Sequence, residues 1–275
     1  MRKPFEGMFN ILLFNWPLYA VALLLVLALT IGAFIIPFPT WLTILLRVGA
    51  SGTVYFLVVS LAVSHIIYDR SPLYRWTWIK DLFLTEPQQI ANIHAGFDES
   101  SEALHSVFPH ANLMILDLYD PRRMTEPSIA RARRYRPPTQ STIPSNLETL
   151  PVPEGTCDAI FLLFAAHELR KAQERFRLFC EVRRIAAPGG TILLVEHRRD
   201  LANLLAFGPG FLHFYPQAEW LRLTVASGLQ VVTTFSMTPF VGVFVLSKGG
   251  HPYEAELRRE GAGEQSPPSM GAASL

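Results

Sequence analysis

Charge is missing from the amino-terminal part of this sequence: between Gly7 and Leu46 there is not one Asp, Glu, Lys or Arg. A run of that length cannot form the surface of a water-soluble domain. Charged residues make up 17% of the 275 residues, against about 25% in soluble domains. The deficit is local, because the composition beyond Asp69 is ordinary. Cysteine is scarce too. Cys157 and Cys180 are too few for a disulfide framework, have no metal-ligand spacing, and lie in stretches that read as buried packing positions. There is no HExxH, CxxC, P-loop lysine pattern or GxSxG, so no metal cluster or familiar hydrolase signature is present. The net charge of +1 gives no electrostatic reason to expect nucleic acid.

What stands in place of charge is a pair of apolar runs. The first, Leu18 to Ile36, is long enough to cross about 30 Å of hydrocarbon as a helix. A turn at residues 37–40 contains Pro37 and Pro39. The second run starts between Trp41 and Val48 and reaches about Ile67. Its small residues Gly49, Ala50, Ser51, Gly52 and Thr53 predict close packing on the first helix, and Arg47 sits where a long side chain reaches the interface. A cleaved signal would be shorter and would not be followed by a second span. Arg2 and Lys3 precede the hairpin and Arg70, Arg75 and Lys80 follow it, which predicts a multi-pass membrane protein with both ends in the cytoplasm, as in a bacterial inner membrane. Trp76 and Trp78 fall where an aromatic belt is expected.

The expected organisation is therefore a membrane anchor over 1–70, an α/β domain over 71–248 and a disordered tail over 249–275 rich in Gly, Pro, Ser and Glu. In the middle part, strand-like runs (89–94, 112–118, 158–164, 191–196) alternate with helix-like ones (99–108, 125–135, 172–185, 217–226). A final pair of strand-like segments (229–237, 240–247) turns at Pro239. Such alternation predicts a mostly parallel sheet with helices on both faces and a ligand site outside the carboxyl ends of its strands.

The stretch LPVPEGTCDAIFLLFAAHEL (150–169), followed by APGGTILLVEH (187–197), resembles class I S-adenosylmethionine (SAM) methyltransferases of the UbiE-like kind, methyltransferase type 11. In that family an "LPFPDGSFD" turn leads into the fourth strand and "KPGG" into the fifth. The resemblance covers roughly 89–248. It implies a Rossmann-like methyltransferase sheet with an antiparallel last strand, preceded here by the helical hairpin, and SAM as cofactor. The family's glycine-rich loop, "LDIGCGTG", matches ANIHAGFD (91–98): Asn92 stands for the usual acid, His94 for the first glycine, Gly96 for the second and Asp98 for the last. Asp117, at the end of the second strand, matches the carboxylate that accepts the ribose hydroxyls, with Asp120 a nearby alternative. Asn146 matches the adenine-contacting position, and Phe164 begins the loop lining the cofactor pocket. A Rossmann dehydrogenase would need GxGxxG after the first strand, and ANIHAGFD does not supply it.

Methyl transfer from a sulfonium requires an acceptor held in line in a dry site, and a hydroxyl or amine acceptor must also lose a proton. Three histidines are candidates for that work: His167 in the loop after the fourth strand, His197 beside Glu196 at the end of the fifth, and His213 in LLAFGPGFLHFY (204–215). Glu196 reads equally as a strand-end hydrogen-bond partner, and Tyr215 as packing. The segment 204–215 is apolar for a loop, and reads either as core or as a lipid-facing lid. The basic run from Arg122 to Arg136 reads either as a solvated face or as a contact for anionic headgroups. RNA is disfavoured because the aromatic interleaving that stacks bases is thin. The expected partners are a small hydrophobic substrate, such as a lipid or quinone-like molecule, and membrane lipid, with no nucleic acid. The alternative is a catalytically silent domain that binds lipid or scaffolds a membrane assembly, which the replaced glycines at His94 and Asp98 would suit.

Overall fold

A computed structural model describes residues 3–249. The tail expected to be disordered thus lies outside the described residues apart from Gly249. The chain begins with a short helix, α1 (Glu6–Phe14), then two long ones, α2 (Trp16–Ile35) and α3 (Thr40–His65). The break at Asn15 precedes Pro17, whose ring suits a first helical turn but cannot continue an existing one. Pro37 and Pro39 enforce the turn between α2 and α3. Both long helices are long and apolar enough to cross a membrane, and α2 has no buried residue at all. They pack side by side, with Tyr19 and Ser60 hydrogen-bonded at 3.1 Å. The small residues of α3 do not all serve that packing. A side chain at Gly49 would just reach Leu29, and one at Gly52 would meet nothing within 4 Å.

The chain leaves α3 through a π turn (Ile66–Arg70) and two 3-10 turns (Leu73–Arg75, Thr77–Leu82). Trp76, expected in an interfacial belt, is instead 1% exposed. Its left-handed backbone (φ 56°) turns the indole inward, where it packs on Tyr74 and Trp78.

The sheet is built from β1 (Gln89–His94), β2 (Asn112–Asp117), β3 (Thr142–Pro144), β4 (Cys157–Leu163), β5 (Ala186–His197), β6 (Gln230–Thr238) and β7 (Val241–Ser247). Its helices are α4 (Ser101–Val107), α5 (Pro127–Tyr135), α6 (Ala172–Ile185), α7 (Leu201–Phe207) and α8 (Gln217–Ala226). Strand order is β3-β2-β1-β4-β5-β7-β6, parallel except for β7, which runs antiparallel to both neighbours. This is the expected α/β sheet with a reversed last strand. Three elements were not expected from the sequence: α1, which precedes the first apolar run, β3, which is three residues long, and α7, which starts just before the apolar 204–215 region and runs into it. Cys157 is buried as expected, while Cys180 is only half-buried.

Alternation along the strands gives two cores. Ile160, Leu162, Ile192 and Leu194 face one side with Phe179 of α6 and Trp220 of α8. Ala159, Phe161, Leu193 and Val195 face the other, where Ile67, Leu73, Trp76 and Ile79 join Leu104 of α4. Residues on both sides of the expected 70/71 boundary therefore share one core, and the exit from α3 covers a face of the sheet. The Asp69 carboxylate ties α1 to this junction. It accepts the backbone N–H groups of Gly7 (2.7 Å) and Met8 (3.1 Å) and lies 3.0 Å from His65 Nδ1. Asp69→Ala leaves these donors unpaired and is expected to cost about 1–3 kcal/mol, read as a lower unfolding midpoint in detergent with earlier proteolysis near α1.

Candidate functional site

Strand order reverses between β1 and β4, and the crevice at their carboxyl ends is where an open α/β sheet takes a ligand. On the β1 side, the residues that depart from the glycine-rich loop have been turned to structural work. Asn92 donates to Ser100 Oγ (2.9 Å) and Ser101 Oγ (2.8 Å), and Asp98 Oδ1 accepts the N–H groups of the same two residues, fixing the start of α4. His94 is buried. Its Nδ1 accepts the Gly96 N–H and lies 3.6 Å from Asp117, while Nε2 is buried without a partner among the described residues. Burial holds this imidazole below its usual pKa, so it is neutral. Gly96 retains a backbone only glycine takes easily (φ 97°), and Tyr119 and Ile129 close over it.

Asp117 sits beside His94 in register. One carboxylate oxygen accepts the Tyr119 N–H and the other accepts from Arg133 of α5. The Arg133 guanidinium lies over the Tyr119 ring, 4.6 Å from its centroid. Three more residues of the basic run are also paired within the chain. Arg122 and Arg123 face Asp120, and Arg136 faces Glu102. Self-pairing thus neutralises part of this run, while Arg131 donates to the neutral Phe14 carbonyl. Asn146 Oδ1 accepts the N–H groups of Glu148 and Thr149, an Asx turn that leaves the amide Nδ2 for other partners.

The β4 and β5 ends carry the second half of the site. Phe164 takes a left-handed backbone (φ 53°) and swings the chain into a 3-10 turn (Ala166–Glu168). That turn is held by Glu196, which has no exposed surface. Its Oε1 accepts the N–H groups of Ala166 (2.8 Å) and His167 (3.2 Å), and its Oε2 accepts from His167 Nδ1 (2.6 Å). The other ring nitrogen of His167 lies 3.2 Å from Glu168 Oε1, and His213 Nε2 lies 3.5 Å from the same oxygen. Burial opposes a charge on His167, but the carboxylates of Glu196 and Glu168 outweigh it and hold the imidazolium well above the usual histidine range. The same pairing outweighs burial at Glu168 and holds its carboxyl well below the usual range. His197 has the opposite fate. Burial, reinforced by the His167 cation, pushes it down to about 3. Its Nε2 pairs with the Tyr68 hydroxyl at 2.7 Å, and its ring stacks on Phe214.

The three candidate histidines thus gather around Phe214, although they come from three separate segments. Sequence reasoning missed Glu168, Tyr68, and the part played by α1. Nothing in AAHEL distinguishes Glu168 from a solvated turn residue. Tyr215 is packing as expected, its ring lying under the Arg175 guanidinium at 3.8 Å. His167, His197, His213 and Phe164 all line one cavity of about 1220 Å³. Its walls also include Ala95 and Phe97 after β1, Leu18, Val21 and Leu25 of α2, and Gly52 and Phe56 of α3. Asn92, His94, Gly96, Asp117 and Asn146 are not among its walls; His94 and Gly96 line a second cavity of about 570 Å³ on the α4 side.

Residues 96–194 match the family model described as "Methyltransferase domain". This part of the chain thus resembles a methyltransferase domain. Among solved structures, the SAM-dependent methyltransferase of Aquifex aeolicus is similar at 18% identity, with 65% of this chain and 93% of that one covered and a TM-score of 0.48. One from Methanosarcina mazei is similar at 16% identity, with 62% and 96% covered and a TM-score of 0.45. An O-methyltransferase from neocarzinostatin biosynthesis, solved with SAM and 2-hydroxy-5-methyl naphthoic acid, is similar at 15% identity, with 72% and 57% covered and a TM-score of 0.45. No curated protein matches this sequence.

SAM is the methyl donor a methyltransferase domain of this kind implies. The residues present fit it at the β1 and β4 ends, where Ala95, Phe97 and Phe164 face open space. At Asp117 the carboxylate is held by the half-buried Arg133, so a ribose taking the expected place on Asp117 would have to displace that guanidinium. Arg133→Ala is therefore expected to tighten SAM binding by roughly tenfold, the worth of about one charge-assisted hydrogen bond, measured by calorimetry on the detergent-purified protein.

Proposed function

We propose that this protein is a membrane-held SAM-dependent methyltransferase whose acceptor is a hydrophobic molecule reaching the site from the bilayer. One observation carries the reading: the cavity at the carboxyl ends of β1, β4 and β5 has the apolar helices α2 and α3 among its walls. An acceptor with an apolar body would lie along Leu18, Val21, Leu25 and Phe56 and bring its polar end to His167 and His213. The lack of any buried residue on α2 supports a lipid environment over a core helix. On α7, Leu201, Leu204 and Leu205 project from one side and are exposed, as is Leu212 beyond it, which suits an element lying at the membrane surface. Gly208 lets this segment bend against Phe56 of α3. The positive residues flanking the hairpin favour a cytoplasmic domain.

SAM, when bound, supplies a methyl group on a sulfonium sulfur that needs no activation by protein. The chain's own groups do the rest. Asp117, freed from Arg133, would hold the ribose, and the Asn146 amide would meet the adenine. Phe164, Phe207 and Phe214 exclude water from the place where the acceptor's polar end would rest. His167 keeps a proton on Nδ1 against Glu196, which fixes the ring so that Nε2 looks toward Glu168 and His213.

A second reading, a silent domain that binds lipid or scaffolds an assembly, draws on the sealing of Asp117 by Arg133 and His94. The two are separated by titrating SAM into the full chain in detergent, with Asp117→Ala alongside, and by following tritiated methyl from SAM into organic-soluble products of a total membrane lipid extract. The enzyme reading expects about micromolar binding, near −8 kcal/mol, weakened at least tenfold by Asp117→Ala, with label entering the lipid fraction. A folded protein that binds no SAM at millimolar concentration contradicts it and leaves the silent domain.

A further inference from the structure

The cluster at the inner end of the cavity has a composition that proton transfer alone does not require. His167, Glu168 and His213 each offer one ligand atom, and those atoms lie within 4.8 Å of one another. Two ligands held about 2.1 Å from a tetrahedral ion stand about 3.4 Å apart. Here the Glu168 oxygen is 3.2 Å from His167 Nε2 and 3.5 Å from His213 Nε2. We infer that His167, Glu168 and His213 form a binding site for a first-row divalent transition ion, with its open positions toward the cavity.

Three further observations agree. Glu196 takes the Nδ1 proton of His167 at 2.6 Å and is itself fixed by two backbone N–H groups. That is the carboxylate–histidine arrangement that orients metal ligands and sets the tautomer, leaving Nε2 as the donor. Glu168 Oε2 is buried and has no hydrogen-bond partner among the described residues, so the carboxylate has a spare oxygen. The donor set of two imidazoles and one carboxylate suits zinc or iron(II) better than magnesium or calcium, which prefer all-oxygen shells.

The surrounding charges balance. Glu168 and Glu196 offset the ion's two positive charges. Glu126 lies 3.8 Å from His213 Nδ1, on the side where Arg170 Nη1 approaches the same nitrogen at 3.4 Å. In the absence of the ion, the proton on His167 Nε2 bridges to Glu168, so metal binding would replace one cation by another. Three protein ligands leave at least one position free, and Phe214, Phe164 and Leu212 bound the space in front of it. An oxygen on the polar end of the acceptor is the ligand this vacancy would take. This part of the inference rests on the acceptor lying in the cavity; ion binding itself does not, and neither needs SAM.

Cobalt(II) is the probe, because its visible absorption reports coordination directly. The full chain, purified in detergent and stripped with chelator, is titrated with cobalt chloride, and zinc affinity is measured by competition. The inference expects one equivalent bound with visible bands of a four- or five-coordinate ion, lost in Glu168→Gln and in His213→Gln. Glu196→Gln is expected to weaken binding by about 10–100-fold, because its amide would donate to Nδ1 of His167 and leave the ring proton on Nε2, the ligand atom. SAM binding, measured on the same samples, is expected to stay within twofold in Glu168→Gln and His213→Gln. A folded protein that binds no cobalt or zinc overturns the inference, as does binding unaffected by Glu168→Gln and His213→Gln. Failure of SAM binding with cobalt binding intact would count against the methyltransferase reading and leave the metal site standing.

Discussion

A carboxylate with no exposed surface must be surrounded by donors, and Glu196 meets that requirement with three N–H groups from the turn after β4. Much of the site follows from this. The turn cannot swing away without stranding a buried charge, so the His167 ring is fixed with its Nδ1 proton on Glu196 and Glu168 is presented beside it. β5 is thereby locked to β4 at the end where the crevice opens. His197, next in sequence, points to the opposite side of the strand, where burial and the His167 cation keep it neutral and paired with Tyr68. Two adjacent residues of one strand thus set a charged half and an uncharged half of the same site.

The second constraint is the way the apolar hairpin meets the sheet. A methyltransferase sheet needs a cover on both faces, and here part of one face is covered by the chain leaving α3. Tyr68 and Tyr74 carry that contact to the site, Tyr68 through His197 and Tyr74 through Glu99, which also accepts from Asn10 of α1. Phe14 closes the other side against Phe97, and Arg131 of α5 donates to its carbonyl. The amino-terminal helices are therefore walls of the cavity as well as a candidate anchor. Small residues on α3 that suggested tight helix packing contribute open volume: Gly49 and Gly52 both line the cavity.

The sheet was largely legible in the sequence because buried parallel strands leave continuous apolar runs, and 89–94, 112–118 and 158–164 are such runs bounded by turn residues. The helices at 172–185 and 217–226 showed their apolar periodicity and fall where expected. β3 escaped, since its three residues carry no period. The site was legible as individual histidines but not as a cluster. His167 and His213 are distant in sequence, and only the 3-10 turn at 208–213, held by Arg170 and Arg199 to its carbonyls, brings them together. The cofactor residues were read by alignment to a glycine-rich loop. The structure gives several of them local tasks, with Asn92 and Asp98 fixing the start of α4 and Arg133 occupying Asp117. Trp76 misled because position after an apolar helix says nothing about a left-handed turn that buries the ring.

The central claim is that α2 and α3 form the acceptor side of a methyl-transfer site. Gly52 tests it most directly, since a side chain there would enter open cavity volume without touching the sheet. In Gly52→Trp, transfer of tritiated methyl to lipid-extract products is compared with SAM binding on the same preparation. The account predicts transfer reduced at least tenfold with SAM affinity unchanged. Transfer equal to that of the parent protein would show that the acceptor does not pass between these helices, and would contradict the account.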